Sequence, residues 1–342
     1  MKALLVRLSS IGDVVHTLPA LAALARAGHQ AGWLVEPASR VLLEGHPLLT
    51  QVAPVPAAKA FRLADARATL RAVRSEGYDV AIDFQGLWKS AAWARLSGAR
   101  RVVGYGSAWR REAPSALLMG ERVELPKEAV HVIDKNLALL RPLGIHALGL
   151  REFPLPEPPA SVERVDRGLA GLGLGPFVIL NPGGGWASKL WPAESFGALA
   201  KGLRERGLAA VVSFGPGEDG LADRVVESAE GAAVRSFPTS LLDYVALARR
   251  ARLVVAADTG TLHLACAVGT PVVGLFGPTD PARNGPFSPR DEVARRVPPC
   301  APCHRRVCPS HAGIMATVPV ADVLSVVDRR LAAAAGPGRL AV

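Results

Sequence analysis

The chain has 342 residues, 49% of them hydrophobic and 20% charged, which is too long for one ordinary domain and sufficient for two with real cores. No apolar run reaches the roughly 18–20 residues of a membrane-spanning helix, and residues 1–7 read as a short apolar strand rather than a signal peptide, which points to a cytosolic or membrane-peripheral protein. Lys and Arg exceed Asp and Glu by ten, with only seven lysines among the forty cations; the excess fits an anionic partner such as a phosphorylated lipid or a nucleotide, or simply a GC-rich genome, while nucleic acid is disfavoured because no recognition motif and no basic stretch interleaved with aromatics is present.

In the first half, strands are expected at residues 2–8, 32–36, 80–84 and 101–105, with helices at 14–27, 65–75, 89–96 and 131–143. Residues 153–159 carry four prolines in seven positions, which neither a helix nor a central strand accommodates, so they read as a linker. In the second half, strands are expected at 177–181, 209–214, 253–257 and 272–276, and helices at 193–206, 218–230, 241–249 and 261–268. Strands alternating with helices imply parallel sheets covered on both faces. The expected architecture is α/β: two doubly wound, Rossmann-like domains, residues 1–155 and 160–318, facing a central cleft. A terminal helix over 319–335 is free to fold back on the first domain, followed by a frayed tail.

Candidate site residues fall at predicted strand ends, where such sheets bind ligands. After the first strand comes Ser9-Ser10-Ile11-Gly12-Asp13. A glycine and free amides at a helix start suit an anion, and Asp13 is a candidate general base or, alternatively, a helix-capping carboxylate. The segment 181–192 (NPGGGWASKLWP) combines a strand end, three glycines and Lys189, which suits phosphate; the plainer reading is a turn with a surface lysine. It lacks the G-K-[ST] ending of a P-loop. In Asp258-Thr259-Gly260-Thr261-Leu262-His263, a carboxylate, two amides and a histidine open a helix, either for a sugar and a phosphate or as an N-capped helix with a buried histidine. Glu218, after Phe214-Gly-Pro-Gly, would accept from a ribose or a base, or cap its own helix. Cys300, Cys303, Cys308 and His311 have the donor types for zinc, although a second C-x2-C is missing, and a plain loop is the alternative.

Taken together, these motifs resemble glycosyltransferase family 9, the ADP-heptose:lipopolysaccharide heptosyltransferases, and within it the heptosyltransferase I subgroup. The resemblance is carried by residues 8–20 (LSSIGDVVHTLPA), 79–90 (DVAIDFQGLWKS), 111–115 (REAPS), 258–263 (DTGTLH) and 277–280 (GPTD), with Lys189 and Trp191. It implies a GT-B fold and an inverting transfer without metal or other cofactor. The donor is ADP-heptose, the acceptor a Kdo residue on lipid A, and the setting the cytoplasmic face of an anionic inner membrane. Carried over by position, Asp13 is the base; Gly184, Gly185, Lys189, Glu218, Asp258, Thr259, Gly260 and His263 belong to the donor site; Arg7, Ser10, Arg111 and His131 face the acceptor. Two departures stand out. Gly184 and Gly185 replace hydroxyl residues, and Ile314 occupies the place of a fourth cysteine found in some members.

Overall fold

A computed structural model of the chain describes residues 1–56, 62–297, 299–303, 306–307 and 313–335. It divides into two compact units, Met1–Pro156 and Glu157–Val342. The first holds β1 (Lys2–Val6), β2 (Gln30–Val35), β3 (Leu49–Pro54), β4 (Val80–Asp83), β5 (Arg101–Tyr105) and β6 (Glu121–Val123) in one sheet, ordered β3-β2-β1-β4-β5-β6. The second holds β7 (Phe177–Asn181), β8 (Ala209–Val212), β9 (Ala233–Arg235), β10 (Leu253–Ala257), β11 (Val272–Phe276) and β12 (Glu292–Arg295), ordered β12-β11-β10-β7-β8-β9. All neighbouring strands pair in parallel.

The central strands explain this arrangement. FVILN, LVVAA and VVGLF are buried along their whole length, as strands covered by helices on both faces must be. Each sheet reverses its winding at its middle pair, β1 with β4 and β7 with β10. At such a point the two connecting segments leave in opposite directions and open a crevice beyond the carboxyl ends of the strands. The registers Val6↔Asp83 and Ala256↔Asn181 bring the loops after each pair level with one another.

Several elements depart from the sequence expectation. The edge strands β3, β6, β9 and β12 were not expected; they are short and carry polar residues or proline, as in LTQVAP and ERV, so they give little alternating apolar signal. Helix 14–27 is in fact two helices, Ile11–Val15 and Leu18–Arg26. Pro19 has no N–H to continue the first ladder and sits instead in the first turn of the second helix. A helix also runs from Pro159 to Leu172, so the last prolines of the supposed linker act as its start. The terminal helix Val320–Ala335 packs against helix Ala193–Arg204 and strands β11 and β12. Gly202 permits the close approach, because a Cβ there would lie 2.7 Å from Leu324, and Arg206 clamps Asp328 with two bonds of 2.6 and 2.8 Å. Trp191 and Phe196 meet edge to face in the same core, with ring centroids 4.9 Å apart.

Helix Pro159–Leu172 is tied to helix Leu241–Arg250 through Asp243. That carboxylate accepts from Arg164 at 2.7 Å and from the Ser240 backbone N–H at 3.0 Å, while Ser240 accepts from the Asp243 N–H in return. Burial raises its pKa, but the Arg164 and Ser240 hydrogen bonds outweigh it and bring the value from 3.8 down to about 2. A carboxyl depressed in the folded state stabilises above its unfolded pKa and loses that contribution as pH falls through the folded one. Asp243→Asn is therefore expected to cost about 2 kcal/mol at neutral pH and to flatten the decline of the urea midpoint between about pH 4 and pH 2.

Candidate active site

In the first unit the polar groups gather beyond β1. Ser10 stands at the N-cap of helix Ile11–Val15, and Asp13, in its first turn, reaches back to accept from the Ser10 N–H at 3.1 Å and the Ser10 hydroxyl at 3.0 Å. The capping reading is thus realised, yet the Asp13 side chain stays 39% exposed, with Arg7 Nη1 4.0 Å from Oδ1. A carboxylate held by one residue, facing a cation and open to solvent can still take a proton from a bound hydroxyl.

Arg7 is buried and does not serve Asp13 alone. Its guanidinium donates to Thr17 Oγ1 at 3.3 Å and Asn136 Oδ1 at 3.4 Å. Asn136 in turn accepts from the Tyr105 hydroxyl at 2.7 Å and donates to the His16 carbonyl at 2.9 Å. This buried network fixes the cation's position behind the loop. His131 caps helix Val132–Ala138 by accepting the Ile133 N–H, and its ring meets that of His16 edge-on at 5.6 Å. Arg7, Ser10, Asp13 and His131 are therefore neighbours. Arg111 lies on the same sheet edge, exposed, in the segment after β5.

In the second unit the β7 and β10 loops meet as the winding reversal requires. Lys189 Nζ donates to the Asp258 carboxylate at 2.6 Å and to its carbonyl at 2.9 Å. The carboxylate also accepts from Thr279 at 2.8 Å, Asn284 at 2.7 Å and His263 Nε2 at 3.1 Å. Burial pushes its pKa up, but His263 and Lys189 overcome this and hold it well below the usual carboxylate range. Four donors fill the roughly four acceptor positions of a carboxylate. Through these contacts the carboxylate positions Lys189. The lysine remains 14% exposed and lies over the Trp186 ring at 4.5 Å.

Around this pair, Thr259 occupies the N-cap position of helix Gly260–Ala267. Thr259 and Thr261 share a hydroxyl bond of 2.8 Å, and Thr261 reaches Asn181 on β7 at 2.7 Å. Gly184 brings its backbone against Thr259, where a Cβ would lie 2.9 Å from the threonine methyl, while Gly185 is open. Glu218 accepts from the Gly215 N–H at 2.8 Å, and its carboxylate fills the space beside Gly183. The result is a cation, glycine-loop amides and a helix start at one crevice, an arrangement that attracts a diphosphate.

Residues the motif reading left without a role complete both sites. Thr279 and Asn284 come from beyond β11. In the first unit, Asp83 and Arg110 form a wholly buried ion pair, and Gln85 Oε1 accepts the Leu8 N–H at 2.9 Å. Three of these, Asp83, Gln85 and Thr279, lie inside motifs that carried the resemblance, but no spacing rule pairs them. Among the described residues, no group of three or more His, Cys, Asp and Glu side chains converges on a metal position. Cys300 and Cys303 are free thiols, whereas Cys308 and His311 lie outside the described residues.

Comparison with known proteins fits this geometry. The sequence profile of glycosyltransferase family 9 (heptosyltransferase) matches residues 66–312. Lipopolysaccharide heptosyltransferase 1 of Pseudomonas aeruginosa is 34% identical over 319 residues, covering 90% of this chain and 87% of that protein. The solved structure of E. coli heptosyltransferase WaaC with ADP aligns with a TM-score of 0.76 and 24% identity, over 96% of this chain and 100% of that one. The same enzyme with ADP-2-deoxy-2-fluoro heptose aligns at 0.73, with 24% identity over 96% and 99%. Two parallel-sheet Rossmann-like units and these neighbours make the fold GT-B. The chain belongs to glycosyltransferase family 9, the heptosyltransferases.

Proposed function

We propose that this enzyme transfers heptose from ADP-heptose to a Kdo residue of the lipid A–Kdo acceptor, with inversion at the anomeric carbon and Asp13 as general base. The observation that carries the donor half is the Lys189–Asp258 pair beside glycine-loop amides, with solved relatives that hold ADP and an ADP-heptose analogue. The acceptor half rests on the exposed Asp13 carboxylate backed by buried Arg7 and on relatives named for lipopolysaccharide.

In this mechanism the Kdo hydroxyl attacks the anomeric carbon as Asp13 takes its proton. The new glycosidic C–O bond forms while the bond from that carbon to the diphosphate breaks, and ADP leaves with the electron pair. Lys189, the amides of Gly184 and Gly185, and the start of helix Gly260–Ala267 stabilise the charge that builds on the leaving group. Asp258, with His263 and Thr259 beside it, keeps the lysine in register. Arg111 and His131 meet the acceptor's anionic groups. Peripheral attachment to an anionic inner-membrane surface on the cytoplasmic side belongs to the same proposal. It is supported by exposed Arg67, Arg71 and Arg74 along one helix; no helix among the described residues is long and apolar enough to cross a membrane.

Glu218 is placed on the nucleotide in this reading. Gly183→Ala would push its carboxylate off the Gly215 N–H, a move the flexible side chain permits without unfolding. ADP binding measured by calorimetry is then expected to weaken about tenfold, with the thermal midpoint nearly unchanged. The proposal as a whole is tested by calorimetric titration of ADP-heptose against its UDP and GDP counterparts. Preference for the adenine nucleotide supports it; equal or stronger binding of another donor sends the assignment to a different nucleotide sugar within the family.

A further inference from the structure

We infer that Gln85 is an acceptor-binding residue, its side-chain amide donating to an oxygen of the incoming sugar. This rests on the reading that the acceptor occupies the loop after β1. Gln85 opens the loop after β4, beside the β1 loop at the winding reversal, and Leu8 N–H donates to its Oε1 at 2.9 Å. A backbone N–H is only a donor, so the oxygen must face Leu8. The NH2 group is therefore turned away from the strand, with two donors to offer. Among the described residues neither donor has a partner, and the side chain is half-buried.

The backbone beneath this amide is rigid. Asp83 Oδ1 accepts from the Gln85 N–H at 3.0 Å and the Gly86 N–H at 3.3 Å. The other Asp83 oxygen is ion-paired with Arg110, both side chains wholly buried, and Arg110 Nε donates to Ser115 at 2.7 Å. Gly86 turns through φ +72°, and a Cβ there would lie 3.4 Å from the Arg110 Cα. A buried charge pair thus holds a neutral amide in one orientation, the kind of preorganisation that favours a ligand over water. Neutrality suits the location. A second cation near Asp13 would stabilise its carboxylate and weaken it as a base, whereas an amide can bind a sugar hydroxyl or carboxylate without that penalty.

Gln85→Glu keeps the shape and the acceptor for Leu8 N–H but removes both donors and adds repulsion toward an anionic sugar. With O-deacylated Kdo–lipid A as probe, the acceptor KM is expected to rise about 10–100-fold with the KM for ADP-heptose unchanged. Gln85→Met, which removes the donors without adding charge, should show a smaller rise of the same kind. A purely structural role would instead lower the thermal midpoint and turnover without singling out the acceptor KM. Wild-type acceptor KM in whichever variant folds overturns the inference. Asp13→Asn in the same assay separates the two readings: if it loses turnover while Gln85→Glu behaves as wild type, only the Gln85 role fails. Should Asp13→Asn turn over normally, the acceptor-site reading beneath it fails as well.

Discussion

Replacing Asp13 by asparagine is expected to lower turnover by about 10²–10⁴-fold while donor affinity stays at the wild-type level. Asparagine keeps an oxygen that can accept the Ser10 N–H, so the helix start survives. Arg7 loses a charge partner 4.0 Å away but keeps Thr17 and Asn136, so the loop has little reason to move. What disappears is the ability to take a proton. Steady-state kinetics with donor calorimetry on the same preparation give the split. A large fall in kcat with unchanged donor binding identifies the base, whereas a loss below tenfold tracking a lower thermal midpoint would reduce Asp13 to a cap.

Lys189→Ala should produce two effects of different origin. Removing the ammonium leaves the Asp258 carboxylate buried with the side-chain donors Thr279, Asn284 and His263. Breaking a buried pair typically costs about 3–5 kcal/mol, and the three surviving donors place this case at the lower end. The sign of the pH effect follows. The folded pKa of Asp258 is depressed, so its contribution is present above the unfolded value and lost as pH falls through the folded one. Without Lys189 the folded pKa rises, and acid unfolding begins at higher pH. Independently, the leaving diphosphate loses its point charge, expected to cost about 10²–10³ in kcat. Wild-type turnover together with an unshifted acid limb would contradict both parts.

The middle of each sheet was legible in the sequence because its strands are buried on both faces and read as continuous apolar runs. Strands 177–181, 253–257 and 272–276 match in full, and the motifs fall at their carboxyl ends as parallel winding dictates. The edges were not legible: three residues such as Ala233–Arg235 are held by pairing with a neighbour, not by their own composition. Individual site residues stood out where chemistry and glycine coincide, as at Asp13, Lys189 and Asp258. Their partners did not. Asn136, Gln85, Thr279 and Asn284 are ordinary polar residues in sequence, and they acquire meaning only when the registers bring separate strand ends together. The direct bond from Lys189 to Asp258 joins residues 69 positions apart, a distance over which spacing carries no information.

Purified enzyme incubated with ADP-heptose and Kdo–lipid A should give a product heavier by one heptose by mass spectrometry. NMR should place the new bond on a Kdo hydroxyl, with an anomeric configuration opposite to that of the donor. Retained configuration, or no heptose on this acceptor while another nucleotide sugar or glycan is consumed, would rule out inverting heptosyl transfer to Kdo.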